Sequence, residues 1–446
     1  MAVLCFRENN VARFVQRGQA HFSAVSRVPR TTQAGPKKEP VPGLCETGDR
    51  SLSLTRFPGA SFLRWHVAAL RPLLLACALL AAAAAHAAEP FRYPERKYGG
   101  GELRYINGLP VLVVAGSPEE MGQQAAVLSA DGARELIAYP ADFLRMLRRD
   151  GQLPRLFQWG QALVPQFPPD HLRELESFAR AAGVQRDVMI GANTLVDCYR
   201  GGFGCSSLIV EPQRSATAGP LFGRNLDFPS LGRLHLYSLV TVCRPTGKHA
   251  FASVGFPGML GCLSGMNDAG LALATHEVFF SKDRAPLFNP KGTPYMFCFR
   301  RILEECTTVE EAEKLLRSLP RTTLFNLAVC DRRRGAVLEC TPQTVVLRPA
   351  VDGICACANH FRSAELGTFA LTRRYAVLEQ SRQIPVLTLA DVTRKLHEVN
   401  QGFLTLQTMV FEPAALRLHL AIGSTPSSAL PVRALELGPL FAAAGR

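Results

Sequence analysis

The order of patterns along the chain predicts an α+β fold in which two mainly antiparallel sheets are sandwiched between helical layers. Residues 88–204 read as mainly helical. From residue 205 the chain turns to short, β-branched apolar runs punctuated by glycine, and pairs of amphipathic helices then alternate with further strands. No internal repeat is evident.

The elements follow in order. After a short extended lead-in, residues 109–114 form a strand candidate ending before Gly116. Ser117, Pro118 and Glu120 supply a cap, a first-turn proline and the third residue of a capping box, so a helix opens there. Amphipathic helical stretches run through about residue 149 and again over 171–182. Strands are expected at 205–210, 220–228, 235–244, 249–255 and 270–280. Two helices follow at 295–305 and 309–319, the second capped by Thr308. Strands return at 323–330, 335–340, 344–348 and 353–358, helices at 371–382 and 389–399, and a last strand pair at 405–411 and 415–422 flanks Glu412-Pro413.

At 446 residues and 47% hydrophobic composition, the chain can bury a large core. Its net charge of +13 is no nucleic-acid signature, because residues 1–88 hold eleven Lys/Arg against four Asp/Glu and so carry +7 of it. The densest basic run in the remainder, Arg332-Arg333-Arg334, lies between two strand candidates and reads as a solvated turn.

Residues 66–87 read as an export signal: Arg71 gives the positive flank, an alanine- and leucine-rich run follows, and Ala85-His86-Ala87 offers the small-x-small pattern cut after Ala87. The run is shorter than the ~20 residues that span a bilayer. A transmembrane anchor is therefore the second reading, and a lipoprotein site at Cys77 the third. Residues 1–65, rich in Pro, Arg and Ser and without periodicity, precede the signal as a non-globular leader. This points to a mis-assigned start, with the true one at a non-standard codon near Val67. A periplasmic or secreted location is therefore expected. Of thirteen cysteines, ten lie beyond the leader, mostly inside apolar runs such as those around Cys243 and Cys330, and are expected to be buried free thiols.

The chemistry concentrates around Gly204-Cys205-Ser206-Ser207. A cysteine after a flexible glycine, with Arg224-x-x-Asp227 on the next strand, suits a residue that becomes a new N-terminus by self-cleavage, placing thiol and α-amine on one residue. An α-amine titrates near ~8, below a thiol at about 8.5, so it can take the thiol proton at neutrality. A guanidinium beside the sulfur favours thiolate, and a carboxylate beside the amine orients it. Asn267, in Gly265-Met266-Asn267-Asp268-Ala269-Gly270, is a candidate oxyanion donor, although asparagine beside glycine is equally a turn signal. Asn359 is a second candidate for the oxyanion or the substrate. Arg373 and Arg374 are candidates for binding a substrate carboxylate, with ordinary helix-surface charge as the alternative.

These motifs, with Ala358-Asn359-His360-Phe361, Ser117-Pro118-Glu119-Glu120-Met121-Gly122 and Val410-Phe411-Glu412-Pro413, resemble the cysteine N-terminal-nucleophile (Ntn) hydrolases. The nearest likeness is to the acyl-coenzyme A:6-aminopenicillanic acid acyltransferase family, with bile salt hydrolases and acid ceramidases more distant. It spans roughly residues 100–425. The resemblance implies a four-layer αββα Ntn-hydrolase sandwich forming one domain over 88–446. It further implies autocleavage between Gly204 and Cys205 into an 88–204 α segment and a 205–446 β segment, and hydrolysis or transfer of an acyl group from a linear amide.

Alternatives come from different classes. One is a secreted, non-catalytic binding protein that keeps the fold. Another is a lipid N-acyl amidase, in which Val278-Phe279-Phe280 lines an acyl pocket. A papain-like pair of Cys205 with His276 or His360 would leave Arg224 and Asp227 idle, and Cys355-x-Cys357-x-x-His360 has unusual metal-ligand spacing. No cofactor is expected. The expected partner is a small acyl-amide substrate, with neither nucleic acid nor a stable membrane span.

Overall fold

The computed structural model describes residues 89–199, 204–217, 219–368 and 372–442. The leader and signal expected over residues 1–87 lie outside them.

Strands β1 (Arg96–Tyr98), β2 (Gly101–Ile106) and β3 (Leu109–Gly116) come first. Helices α1 (Pro118–Leu136), α2 (Tyr139–Met146), α3 (Leu153–Leu163), α4 (Pro169–Ala182), α5 (Arg186–Asn193) and α6 (Leu195–Cys198) follow. Then come β4 (Gly204–Val210), β5 (Leu221–Asp227), β6 (Leu239–Pro245), β7 (Phe251–Gly255), β8 (Ser264–Asn267) and β9 (Ala272–Glu277), and after them α7 (Tyr295–Glu305) and α8 (Val309–Ser318). The chain continues with β10 (Phe325–Cys330), β11 (Gly335–Cys340), β12 (Val345–Pro349) and β13 (Ile354–Cys357), then α9 (Arg373–Glu379) and α10 (Leu389–Glu398). It ends on β14 (Thr405–Glu412), β15 (Arg417–Ile422), β16 (Arg433–Glu436) and the short α11 (Gly438–Phe441).

Among the described residues the strands form two sheets. One has ten, in the order β1-β2-β3-β6-β7-β8-β9-β10-β11-β12, and the other six, in the order β13-β4-β5-β14-β15-β16. Neighbours pair antiparallel except β3 with β6. The alternation of side chains along a strand sets the layers. In β3, Leu109, Val111 and Val113 face the other sheet, whereas Leu112 and Val114 face the helices. In β4, Ile209 points between the sheets, whereas Leu208 and Val210 point toward α9 and α10. Met409 and Phe411 of β14 and Leu418 and Leu420 of β15 complete the inter-sheet core. Helices α1, α7 and α8 cover the outer face of the large sheet, and α9 and α10 that of the small one. The expected αββα sandwich is what the chain builds.

The capping box at Ser117 forms as read, Glu120 Oε2 accepting the Ser117 N–H at 2.7 Å, and Thr308 caps α8. Several elements differ from expectation. The extended lead-in is a paired meander, β1 to β3, that extends the large sheet. The segment read as a turn around Asn267 contains β8, joined to β9 through Gly270 at φ +85°. The strand expected from residue 235 starts only at Leu239, and β16 and α11 follow the last expected strand pair. Each of these is short and acquires its structure from pairing or packing, which local periodicity does not report.

An ionic cluster outside the six-stranded sheet joins α4 to α7. Arg300 is buried and donates to Glu174 at 2.5 Å and to Glu304 at 2.8 Å; His171 lies 2.9 Å from Glu304, and Lys248 reaches the same carboxylate at 2.8 Å. Burial, reinforced by Arg300, pushes the His171 pKa down to about 4, so the ring is neutral at pH 7.

Candidate active site

Strand β4 enters the small sheet at Gly204 and lies antiparallel to β5, with Gly204 opposite Asp227, Cys205 opposite Leu226 and Ser207 opposite Arg224. Residues three apart on a strand face opposite sides. Arg224 therefore points between the sheets, as Cys205 does, while Asp227 points toward the α9/α10 layer. The Arg-x-x-Asp spacing on β5 addresses both faces of the neighbouring strand that carries Cys205. Gly223 matters to the same end: a Cβ there would come within 2.6 Å of Val392 Cγ1, so glycine lets α10 lie directly on β5.

Cys205 is fully buried. Arg224, also fully buried, donates from Nη2 toward its Sγ at 3.5 Å and from Nη1 to the Thr275 carbonyl at 2.6 Å. Burial pushes the Cys205 thiol up from the ordinary range; Arg224 and the Asp227 backbone N–H oppose this by stabilising a thiolate. Asp227 accepts from Thr405 Oγ1 at 2.6 Å and Gln401 Nε2 at 2.7 Å. Its burial raises the carboxyl pKa, against these two bonds and the charges of Arg374 and Arg224.

The backbone N–H of Cys205 donates to Asn359 Oδ1 at 2.8 Å. Asn359 Nδ2 donates to the Glu277 carbonyl at 2.9 Å. Arg374, the second residue of α9, donates from Nη1 to the Cys205 carbonyl at 2.5 Å and to Ser206 Oγ at 2.9 Å, and from Nη2 to Asn359 Oδ1 at 2.8 Å. Three consecutive residues at the end of β9 brace the group: Thr275 holds Arg224, Glu277 holds Asn359, and His276 Nε2 lies 2.9 Å from Ser207 Oγ. Burial and then Arg224 and Arg374 hold the His276 pKa well below its ordinary value, so the ring is neutral.

Gly204, Cys205, Arg224, Asp227, Asn359 and Arg374 are thus brought together. Asn267 is not among them. It is fully buried on β8, its amide donates to the Leu303 and Cys306 carbonyls at 2.9 and 2.7 Å, and its Oδ1 accepts from Leu271 N–H. Those bonds tie the C-terminus of α7 to the β8–β9 turn, so the turn reading of this asparagine replaces the oxyanion one. Asn359 lies at Cys205, its Oδ1 accepting from the Cys205 N–H. Arg374 holds the strand backbone at Cys205, while Arg373 is exposed and joins none of these bonds. His276 bonds Ser207, not Cys205. Phe280 is 76% exposed and Val278 packs with Leu324 and Phe361, so neither forms the apolar pocket foreseen for that run. Gln401 and Thr405 escaped the sequence reading, since neither sits in a motif and only the pairing of Thr405 with Asp227 reveals them.

A cavity of about 130 Å³ opens beside the site between α1, α5 and the 256–259 loop. Leu226 and Phe228 form one wall, with Leu136, Val188, Met189 and Met296 on others. Leu226 is the cross-strand partner of Cys205, and the two share one apolar cluster with most of these residues.

The four-layer αββα sandwich and this group of residues resemble those of the Ntn hydrolases. Residues 214–426 match the sequence model of the acyl-coenzyme A:6-aminopenicillanic acid acyl-transferase family, and the chain resembles that family. The match takes in Arg224, Asp227, Asn359 and Arg374 and starts nine residues after Cys205. An uncharacterised protein of Archaeoglobus fulgidus is 22% identical over 277 residues, 54% of this chain. The alignment covers 45% of that relative, so the chain spans less than half its length. Among solved structures, the Caenorhabditis elegans ortholog of N-acylethanolamine-hydrolyzing acid amidase is 14% identical with a TM-score of 0.38, covering 47% of this chain and 93% of that one. Penicillin V acylase from Agrobacterium tumefaciens is 13% identical with a TM-score of 0.33, covering 52% and 86%. A C2A mutant of conjugated bile acid hydrolase from Clostridium perfringens is 13% identical with a TM-score of 0.35, covering 53% and 93%.

Proposed function

We propose that the protein is an exported, self-processing cysteine hydrolase or acyltransferase that acts on linear C–N amide bonds through a thioester on Cys205. The observation that carries the reading is the convergence of three groups on one residue: Arg224 on the sulfur of Cys205, Asn359 on its nitrogen and Arg374 on its carbonyl. In the precursor, Cys205 Sγ attacks the Gly204 carbonyl. A C–S bond forms, the C–N bond breaks, and the thiol proton ends on the Cys205 nitrogen. Water then hydrolyses the thioester, leaving a carboxylate on Gly204 and a free thiol beside a free α-amine.

In the processed form the amine, held by Asn359, takes the thiol proton, and the thiolate attacks a substrate carbonyl. The amine returns that proton to the departing amine, and water or an acceptor amine resolves the thioester. Arg374 fixes the backbone from which both steps start. Arg374→Met is expected to slow fragment formation roughly tenfold to a hundredfold, because three charge-assisted bonds around Cys205 vanish together. A time course on denaturing gels checks this, and an unchanged rate excludes the role.

The apolar cavity beside Leu226 favours the lipid-amidase form of this reading, with an acyl group of modest size. A cavity of about 150 Å³ accepts benzene, so 130 Å³ suits an aryl ring or a short chain. Across N-acyl amides of increasing acyl length, kcat/KM of the processed enzyme is expected to rise roughly three- to fourfold per buried methylene until the cavity fills. A flat series would remove the cavity from the account.

A further inference from the structure

We propose that Gln401 is a positioning residue that makes glycine obligatory at 204, by coupling the space beside the scissile peptide to the placement of the Asp227 carboxylate. The inference rests on the self-cleavage reading above and names a residue that no motif marks.

A closed ring of bonds holds Gln401. Its backbone N–H donates to Thr405 Oγ1 at 2.8 Å, the same hydroxyl donates to Asp227 Oδ1 at 2.6 Å, and the Gln401 side chain returns to Asp227 Oδ2 at 2.7 Å. Asn400 Oδ1 accepts from the Gly402 N–H at 2.8 Å, with Gly402 at φ +60°, so the turn carrying Gln401 is itself fixed. Held this way, the Gln401 amide lies across Gly204. A Cβ built on Gly204 would stand 1.8 Å from Nε2, 2.8 Å from Cδ and 3.1 Å from Oε1. Gly204 is also the residue directly opposite Asp227 in the β4/β5 register.

Any side chain at 204 must therefore push the amide away, and the amide can move only by releasing Asp227. The same displacement disturbs the carbonyl that Cys205 Sγ attacks, on the strand whose next residue carries the nucleophile. Glycine at 204 thus has two separate functions. One is the backbone freedom that the N-to-S shift needs; the other is the vacant side-chain volume that Gln401 fills.

A double-mutant cycle separates them. Wild type, Gly204→Ala, Gln401→Ala and Gly204→Ala/Gln401→Ala are translated in vitro, and the appearance of the fragment starting at Cys205 is followed on denaturing gels. Gly204→Ala is expected to cleave roughly tenfold to a hundredfold slower than wild type, the cost of losing a bond to a buried carboxylate. In the Gln401→Ala background, alanine at 204 is expected to cost a clearly smaller factor, the remainder being the lost backbone freedom alone. A rescue of this kind does not arise from general destabilisation, which would add. The same cycle in a Gln401→Asn background, one methylene shorter and still polar, serves if the alanine variant fails to fold. If alanine at 204 costs the same factor with and without Gln401, the coupling is wrong while self-cleavage stands. If wild type itself stays uncut, both are overturned.

Discussion

Cys205→Ala is expected to give a folded chain that remains a single uncut polypeptide and loses amide hydrolysis by at least ~10³-fold. The site supplies the reason. Arg224, Asn359 and Arg374 are all aimed at Cys205, at its sulfur, nitrogen and carbonyl respectively, so removing the sulfur leaves them with nothing to activate. The fold should tolerate the change, since only one small buried atom is lost; a destabilisation of about 1 kcal/mol is the ordinary outcome. Electrophoresis of the purified variant and an amidase assay check both halves. Processing or activity at the wild-type level would mean that another residue carries the chemistry.

The second large effect lies away from the site. Arg300→Met is expected to cost ~3–5 kcal/mol, because it strands two carboxylates, Glu174 and Glu304, inside the α4–α7 interface without their shared cation. Lys248 is only partly buried and is shared between Glu304 and Asp170. The midpoint of denaturant unfolding measures the loss. The same cluster sets a pH dependence. His171 is held neutral by a pKa lowered to about 4, and Glu304, through Arg300 and His171, is held well below the usual carboxylate range. Both shifts contribute stability that is fully present above the unfolded-state values. It is lost as pH falls, for His171 between about 6.5 and 4. Glu174, whose carboxyl pKa burial raises, acts in the opposite direction, so the His171 part is read as the change in pH slope on His171→Gln; an unchanged slope between about pH 6.5 and 4 would contradict it.

Much of the sandwich was legible because its helices and central strands carry strong local signals. The Ser117–Glu120 box, the Thr308 cap and the apolar runs of β4 and β5 each dictate a single local structure. Cys205, Arg224 and Asp227 were legible too, since a strand's alternation fixes how an Arg-x-x-Asp pair sits beside its neighbour. Partnership across the fold was not. Asn267 in a glycine-flanked motif looks the same on paper whether its amide meets an oxyanion or, as here, the carbonyls of Leu303 and Cys306. Arg374 looks like surface charge until α9 packs on β13 and β4 and turns it onto the Cys205 carbonyl. Gln401 and Thr405 are ordinary turn and strand residues whose meaning arises only from β14 pairing with β5.

The central claim is that the Gly204–Cys205 bond is where a precursor becomes an enzyme. Intact-mass and N-terminal analysis of the purified wild-type protein tests it most directly. Two fragments are expected, the larger beginning with Cys205 and bearing a free α-amine. A single chain, uncut at 204/205 yet active on amides at a level that Cys205→Ala leaves unchanged, would contradict it.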